Sequence, residues 1–537
     1  MIETNEATTS QSVRVHDGSA TTISAPKKHR MLVQPQLWMA LIIAFALPVS
    51  SNAGTWETLT TFAPSRAGTM ILLTDGTVMV QNGSNYAGWM RLVPDINGSY
   101  TNGTWVSNIA SMSLARLYFA SNMLPDGRVW VLGGEYSGNP LRQNITALAE
   151  IYDPVANSWS PITSYPNTSA CPTTPCFGDD PSMLLSATKI LAGDIFLRTP
   201  QIYDIPSDTW SPAGSKFYND RSDEETWVKL PNGNVLTYDI FHSVASGTGF
   251  AEMYNPSTNT WSSVTPSDGY AGGTLPLLTS APLGYELGPA LQLQDGRVFQ
   301  IGANNQTALY DPSANSWAAG PLIPNNFGAD DAPAAAMPNG RVLFAADAGP
   351  ANGRPFVPPT KIFEFDPVAN TITDVTPADS ILNTSPAYPT RMLVLPTGQV
   401  LFSDGSNRLW LYTPDAPFTA SARPVINSVV YNGGGVFTLS GKQINGQSAG
   451  SSYGDDVESD ENYPIIRLQS LTGSVYYCRT TNWSTVGVDG GGNVVQSVNF
   501  TLNSAITPGN YVLYLTGSGI PSFPMFINIT AAAVAGL

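Results

Sequence analysis

The segment Y152DPVANSW159 recurs with changed residues as Y203DIPSDTW210, Y254NPSTNTW261 and Y310DPSANSW317, and in weaker form as F365DPVANTI372 and Y412TPDAP417. With Trp56 and Trp105 added, the terminal aromatic or Ile falls at 56, 105, 159, 210, 261, 317 and 372, at intervals of 49, 54, 51, 51, 56 and 55. Even spacing of this kind marks a chain built from one repeated unit of about 50 residues. A second signature alternates with the first: L124PDGRVWVLGG134, L230PNGNVL236, L293QDGRVFQIG302, M337PNGRVLF344 and L395PTGQVLF402, with looser copies at L73TDGTVMV80 and L191AGDIFL197. Asp-Gly or Asn-Gly between apolar runs supplies the positive φ angles of a tight hairpin, which predicts Leu124 and Val129 on paired antiparallel strands. Asp-Pro followed by Asn predicts the next reversal, because Pro fixes φ at the turn start and Asn tolerates the left-handed region. The Trp then opens an outermost strand and packs against the neighbouring unit. Each unit reads as a four-stranded antiparallel sheet.

These units resemble kelch repeats, whose sheets form the blades of a β-propeller. Seven turn signals and seven outer-strand signals predict seven blades. Trp56 opens with an outer strand that lacks its own inner three, and the last repeat has inner strands without a terminal Trp, so the first strand is expected to complete the last blade. Closure of this kind removes exposed sheet edges. After Pro417 the pattern changes to alternating segments at R423PVINSVVY431, V436FTLSG441, I465IRLQS470, V475YYCRT480, V495QSVNFTL502 and Y511VLYLTG517, which suggest an immunoglobulin-like β-sandwich. The expected fold is therefore all-β: a propeller over 54–420 followed by a sandwich over 421–532.

Composition narrows function. The 537 residues carry 24 Lys and Arg against 40 Asp and Glu, a formal charge of -16, with no dense basic run, so nucleic acid is not an expected partner. Lys27, Lys28, His29 and Arg30 precede an apolar stretch from Leu37 to Val49 and small residues at Ser51 and Ala53. This predicts a polar extension and signal peptide over 1–53, cleavage after Ala53, and a secreted or periplasmic monomer with no membrane contact once cleaved. Of the three histidines, only His242 would remain, and its place after L236TYDIF241 reads as a polar residue near a strand end. Three cysteines are present; Cys171 and Cys176 bracket P172TTP175 as a candidate disulfide, and Cys478 reads as a buried thiol.

A kelch propeller followed by such a sandwich resembles the copper radical oxidases, galactose oxidase and glyoxal oxidase. The resemblance implies a copper held by two tyrosines and two histidines, with one tyrosine joined by a thioether to a cysteine. A115RLYFASNMLPDG127 places Tyr118 at the crosslinked position and A387YPTRMLVLPTG398 places Tyr388 at the second tyrosine, but Pro389 stands where the resemblance expects histidine. F62APSRAGTMILLTDG76 has no cysteine for the thioether, and Y453GDDVESDENYPIIRL468 has no second histidine. A tetragonal Cu(II) site wants strong nitrogen donors, so neither copper nor oxidase activity is expected.

Each repeat carries a charged residue ahead of its innermost strand, where propellers bind ligands at the channel mouth: Arg66, Arg116, Asp179 with Asp180, Glu224 with Glu225, Glu286, Asp330 with Asp331, and Arg391. Together with Tyr118 and Tyr388 these are the candidate ligand-binding residues. Arginines of repeats seven, one and two would face carboxylates of repeats three to six, a split rim suited to a carbohydrate or an extracellular protein. The alternative is that these charges are merely solvated at strand starts. Asp455, Asp456, Glu458 and Asp460 form either a calcium loop without EF-hand spacing or a solvated acidic loop. Two function classes stay open: a binding protein without catalytic residues, or an enzyme using carboxylates such as Glu224 or Glu225 with Asp330 on a glycan.

Overall fold

In the second repeat, Ala120–Met123, Val129–Leu132, Ala149–Asp153 and Ser158–Ile162 pair in that order from the inside out, each antiparallel to the next. A computed structural model describes residues 54–166, 177–378, 381–450, 462–488 and 494–536, together with the backbone of 452–453. The expected signal segment, Cys171 and Cys176, and the acidic run Asp455, Asp456, Glu458 and Asp460 lie outside these residues. Seven blades are present among the described residues, each built on four antiparallel strands, and those of repeats four and five carry a short fifth strand. The first strand, Thr55–Thr58, is the outermost strand of the seventh blade, with Trp56 opposite Tyr412, so the ring closes as the repeat count predicts.

The two signatures do different work. Glycines of the first, at 76, 127, 233, 296, 340 and 398, all have φ between 75° and 90°, and the Asp126 carboxylate accepts the Arg128 N–H across the hairpin at 3.0 Å. The looser copy at Leu191 is a correction. Repeat three reverses at residues 186–189, and Leu191 lies late on its second strand, Lys189–Ala192, with Gly193 beyond it. The second signature latches blade to blade. Asn157, Asp208, Asn259 and Asn315 sit at φ 47° to 54° and accept the hydroxyl protons of Tyr152, Tyr203, Tyr254 and Tyr310 at 2.8 to 2.9 Å. The same side-chain oxygens of the first three take a backbone N–H from the preceding blade's exit: Ala110 to Asn157, Thr163 to Asp208, Gly214 to Asn259. The Trp indole N–H crosses the same seam, Trp159 to the Ala110 carbonyl, Trp210 to Thr163 and Trp317 to Val264, each at 2.9 Å, and Trp56 to Val375 at 2.6 Å.

The sandwich runs through Val425–Gly433, Val436–Lys442, Ile465–Ser470, Val475–Thr481, Gln496–Thr501, Gly509–Gly517 and Met525–Ile529, where alternation predicted strands. Its inner face, including Phe437, Leu439, Ile466, Leu513 and the free thiol of Cys478, shares one core with blades one, two and seven. The Tyr463 hydroxyl donates to the Leu72 carbonyl, and the Val475 N–H to Ile96 at 2.7 Å. A strand at Ser452–Tyr453 adds itself beside Thr226–Lys229, the innermost strand of blade four, so the segment after Lys442 reaches the propeller's central channel. Among the described residues no helix is long and apolar enough to cross a membrane.

Asn370 occupies the latch position of repeat six at φ 56°, but Phe365 supplies no hydroxyl there. Asn157→Ala loses three hydrogen bonds as well as left-handed tolerance and should cost roughly 2 to 4 kcal/mol. Asn370→Ala should cost only about 1 kcal/mol. Equal losses in denaturant titration would remove the latch from the account of stability.

Candidate functional site

Every innermost strand begins at the same end of the ring, so the residues leading into it converge there. The chain makes this approach through a left-handed residue: Tyr118 at φ 55°, Asp179 at 62°, Glu224 at 62° and Asp331 at 49°, with Tyr285 at 68° just before Glu286. None is glycine, and a bulky L-residue there costs about 1 to 2 kcal/mol. The side chains of Tyr118, Asp179, Glu224, Glu286 and Asp331 line a cavity of about 320 Å³ at the channel mouth, while Tyr285 stacks on Phe241.

Five carboxylates line that cavity: Glu135, Asp179, Glu224, Glu286 and Asp331. Four aromatic rings complete it. Tyr118 meets Tyr136 edge to face at 5.7 Å between centroids, and Phe356 meets Tyr388 likewise at 5.1 Å. Carboxylate oxygens of Glu224, Glu286 and Asp331, from the approaches to blades four, five and six, all lie within 4.8 Å of one another. Burial, reinforced by Asp331, holds the Glu286 carboxyl well above the usual glutamate range. Burial also raises Glu135, against the opposing effect of the Gln143 amide that donates to it at 2.6 Å.

Six of the twelve sequence candidates thus line the mouth: Tyr118, Asp179, Glu224, Glu286, Asp331 and Tyr388. The other six do not. Arg116 is fully buried, ion-paired with Glu150 and donating to the Leu148 carbonyl at 2.7 Å, because its side chain turns into blade two. Arg391 is buried and donates to the carbonyls of Tyr388 and Thr390 at 2.6 and 2.7 Å, while Arg66 donates to Gly405 at 3.0 Å. The split rim is therefore corrected: the rest of the lining is aromatic, not basic. In each adjacent acid pair one member faces the cavity and the other is fully buried. Asp180 accepts from the Gly178 N–H at 3.3 Å, Glu225 pairs with Lys216, and Asp330 accepts from the Phe356 N–H at 2.6 Å.

These buried partners anchor the approaches. Lys216 is enclosed by Glu225, by Asp239 at 3.7 Å and by Glu252 at 3.6 Å. Asp330 adjoins Asp347, which accepts the Ala387 N–H beside Tyr388 at 3.1 Å. Sequence reading missed Glu135, Tyr136 and Phe356, which lie after second strands; the available signal was that this connection, too, opens at the mouth. His242 lies three residues past the end of the strand Val235–Asp239, as expected, in the first turn of a helix, Ile240–Ser246, capped by Asp239, with its ring stacked on Tyr218 at 4.7 Å.

The chain matches no protein-family model and no curated protein. Solved structures with a similar fold include a fungal alcohol oxidase of the AA5 family in complex with copper, 15% identical at a TM-score of 0.47, covering 89% of this chain and 100% of that one. The extracellular domain of a hybrid two-component system protein from B. thetaiotaomicron is 11% identical at 0.42, over 89% of this chain and 57% of that one. YCF48 bound to D1 peptide is 15% identical at 0.41, over 69% and 98% respectively.

Two predictions follow from the buried charges. Arg116→Ala should unfold the mouth rather than probe it, costing about 3 to 5 kcal/mol because Glu150 is left buried and unpaired; an unchanged Tm would contradict this. Burial raises Asp194 to about 6 and pushes Glu225 and Glu252 upward. Carboxyls raised in the folded state contribute stability that is whole below their unfolded pKa near 4 and is lost as pH climbs through the folded values. Lys216, also raised, holds its contribution up to about pH 10 and does not offset this loss. Tm should therefore be higher at pH 5 than at pH 8, and the opposite order in calorimetric scans would refute the assignment.

Proposed function

We propose that the chain is an exported saccharide-binding protein that takes its ligand in the propeller mouth without copper redox chemistry. One observation carries the reading. Tyr118, Asp179, Glu224 and Asp331 each hold a strained left-handed backbone and each presents its side chain to one cavity. Glycine would relieve that strain, so the side chains themselves are what the positions require. Aromatic faces that pack on sugar rings, together with carboxylates that accept from hydroxyls, form a surface suited to a polyol. Export is inferred from the leader-like sequence alone, and an extracellular protein is the alternative partner.

The copper group implied by the resemblance does not fit these residues. Tyr118 and Tyr388 both line the cavity, but the other donors lining it are carboxylates. Pro389 takes the histidine position beside Gly405, and Cys478 is buried in the sandwich. A soft thioether-linked, imidazole-rich centre needs a different donor set.

A second reading has support of its own. Glu286, whose carboxyl burial raises well above the usual glutamate range, lies with Glu224 inside the 4.8 Å cluster, an arrangement open to the acid and base pairing that glycan hydrolysis uses. The pair first suggested by sequence is displaced, since Glu225 and Asp330 are buried. If Glu224→Gln abolishes product release from a glycan while binding persists, the enzyme reading replaces the binding one.

Glycan-array screening of the full exported chain tests the proposal, with calorimetry on the hits. Glu224→Gly should weaken binding roughly tenfold to a hundredfold, the worth of a charge-assisted contact, without lowering Tm, because about 1 kcal/mol of backbone strain is released. Destabilisation by that change with binding intact would show the residue to be structural and would overturn the proposal.

A further inference from the structure

The lining of the mouth also selects the charge of its ligand, a step that rests on the saccharide reading above. Five carboxylates line the cavity, and none of the described residues around it is Lys, Arg or His. The arginines that could have balanced them are committed elsewhere: Arg116 to Glu150, Arg391 to the carbonyl of Tyr388. Arg221, on the approach to blade four, gives its Nε to Asp223 at 2.9 Å and lays its guanidinium over the Phe241 ring at 3.7 Å. The Tyr118–Tyr136 and Phe356–Tyr388 pairs line the same cavity, and aromatic faces attract a cation as well as a sugar ring.

A second observation points the same way. The Glu286 side chain shares a hydrogen bond with Glu224, yet its Oε2 atom is buried without a partner of its own, beside a cavity large enough for a ligand. A buried acceptor in that state is destabilising until a donor reaches it. An ammonium supplies three donors and a positive charge at once, where a hydroxyl supplies one donor and none.

We infer that the saccharide taken by the mouth carries a free amino group, held as its ammonium among Glu224, Glu286 and Asp331 with the ring against the aromatic wall. Glu224 and Asp331 face Glu286 directly, Asp223 and Asp330 stand behind them, and Glu135 and Asp179 close the acidic side. Burial, then Asp331, Asp223 and Asp330, raise the Glu286 carboxyl well above the usual glutamate range, against the opposing effect of its hydrogen bond with Glu224. The arriving ammonium favours the carboxylate, so a proton held by Glu286 leaves to solvent as the complex forms, and charge is conserved.

The test compares a fully deacetylated glucosamine tetramer with the N-acetylated tetramer by calorimetry at low salt, in two buffers of different ionisation enthalpy. The amine should bind at least about tenfold more tightly, the gain of one charge-assisted contact. Its binding should release protons, and the neutral tetramer should release none. Glu286→Gln, which mimics the protonated side chain and should keep Tm, should abolish both the preference and the proton release. Equal affinity for the two tetramers, or a preference for amine that survives Glu286→Gln, overturns the inference while leaving the saccharide reading standing if the array gives a neutral hit. Absence of binding by either tetramer overturns the inference, and absence of any array hit overturns the reading with it.

Discussion

The hydrogen bond between a tyrosine hydroxyl and an asparagine or aspartate five residues later holds the molecule together. Alone it closes one turn. Because the accepting side chain is fixed at positive φ, its oxygen also reaches a backbone N–H of the preceding blade, and the Trp two residues on sends its indole N–H to a carbonyl at the same seam. Local turn chemistry thereby becomes the contact between blades. Where the motif decays, the seam changes: Ile372 has no indole N–H to donate, and Tyr412 donates to Glu364 at 2.7 Å instead of to an Asn; even in the intact copy at Tyr254, the Trp261 indole N–H is buried without a partner. The ring closes despite this because Thr55–Thr58 completes the last blade and Trp56 donates across to Val375.

Closure has a consequence at the mouth. Seven approaches meet around one axis, and charge placed on them is crowded whatever its purpose. Pairs such as Asp179 and Asp180 divide the burden, one side chain toward the cavity and one into the blade. Burying the second is unfavourable unless it is paired or protonated. Lys216 meets that need for Glu225, and Asp347 shares a hydrogen bond with Asp330. Asp330 and Asp347 then fix the backbone of Phe356 and of Ala387, which sets Tyr388. Rigidity of the cavity wall comes from charges that never touch it.

Blade number, closure and sandwich were legible in the sequence because each rests on local chemistry: Gly at positive φ, Asn in a left-handed turn, alternation on strands. The acidic half of the mouth was legible too, since position ahead of an innermost strand fixes location. Side-chain direction was not. Tyr118 and Arg116 lie two residues apart on one approach, yet the left-handed backbone at Tyr118 sends the ring to the cavity while Arg116 finds Glu150, 34 positions away. No spacing rule distinguishes a rim arginine from one with a buried partner that distant. Tyr136 and Phe356 were hidden for a related reason: they belong to connections after second strands, which carry no repeated signature.

The two tyrosines that invited comparison with copper enzymes show how a scaffold separates placement from chemistry. Tyr118 and Tyr388 stand where approach geometry puts them, in the same lining as the carboxylates. What they can do is decided by neighbours. Imidazoles would make the cavity a nitrogen-donor site for a transition metal; carboxylates at the same mouth make it a hard-oxygen pocket rich in acceptors. Because the ring holds its approaches through the latch and the buried pairs, exchanging those donors leaves the fold intact. Selectivity at this mouth is therefore a property of a few side chains on the approaches to blades two to seven, and it can change without any change in the propeller that presents them.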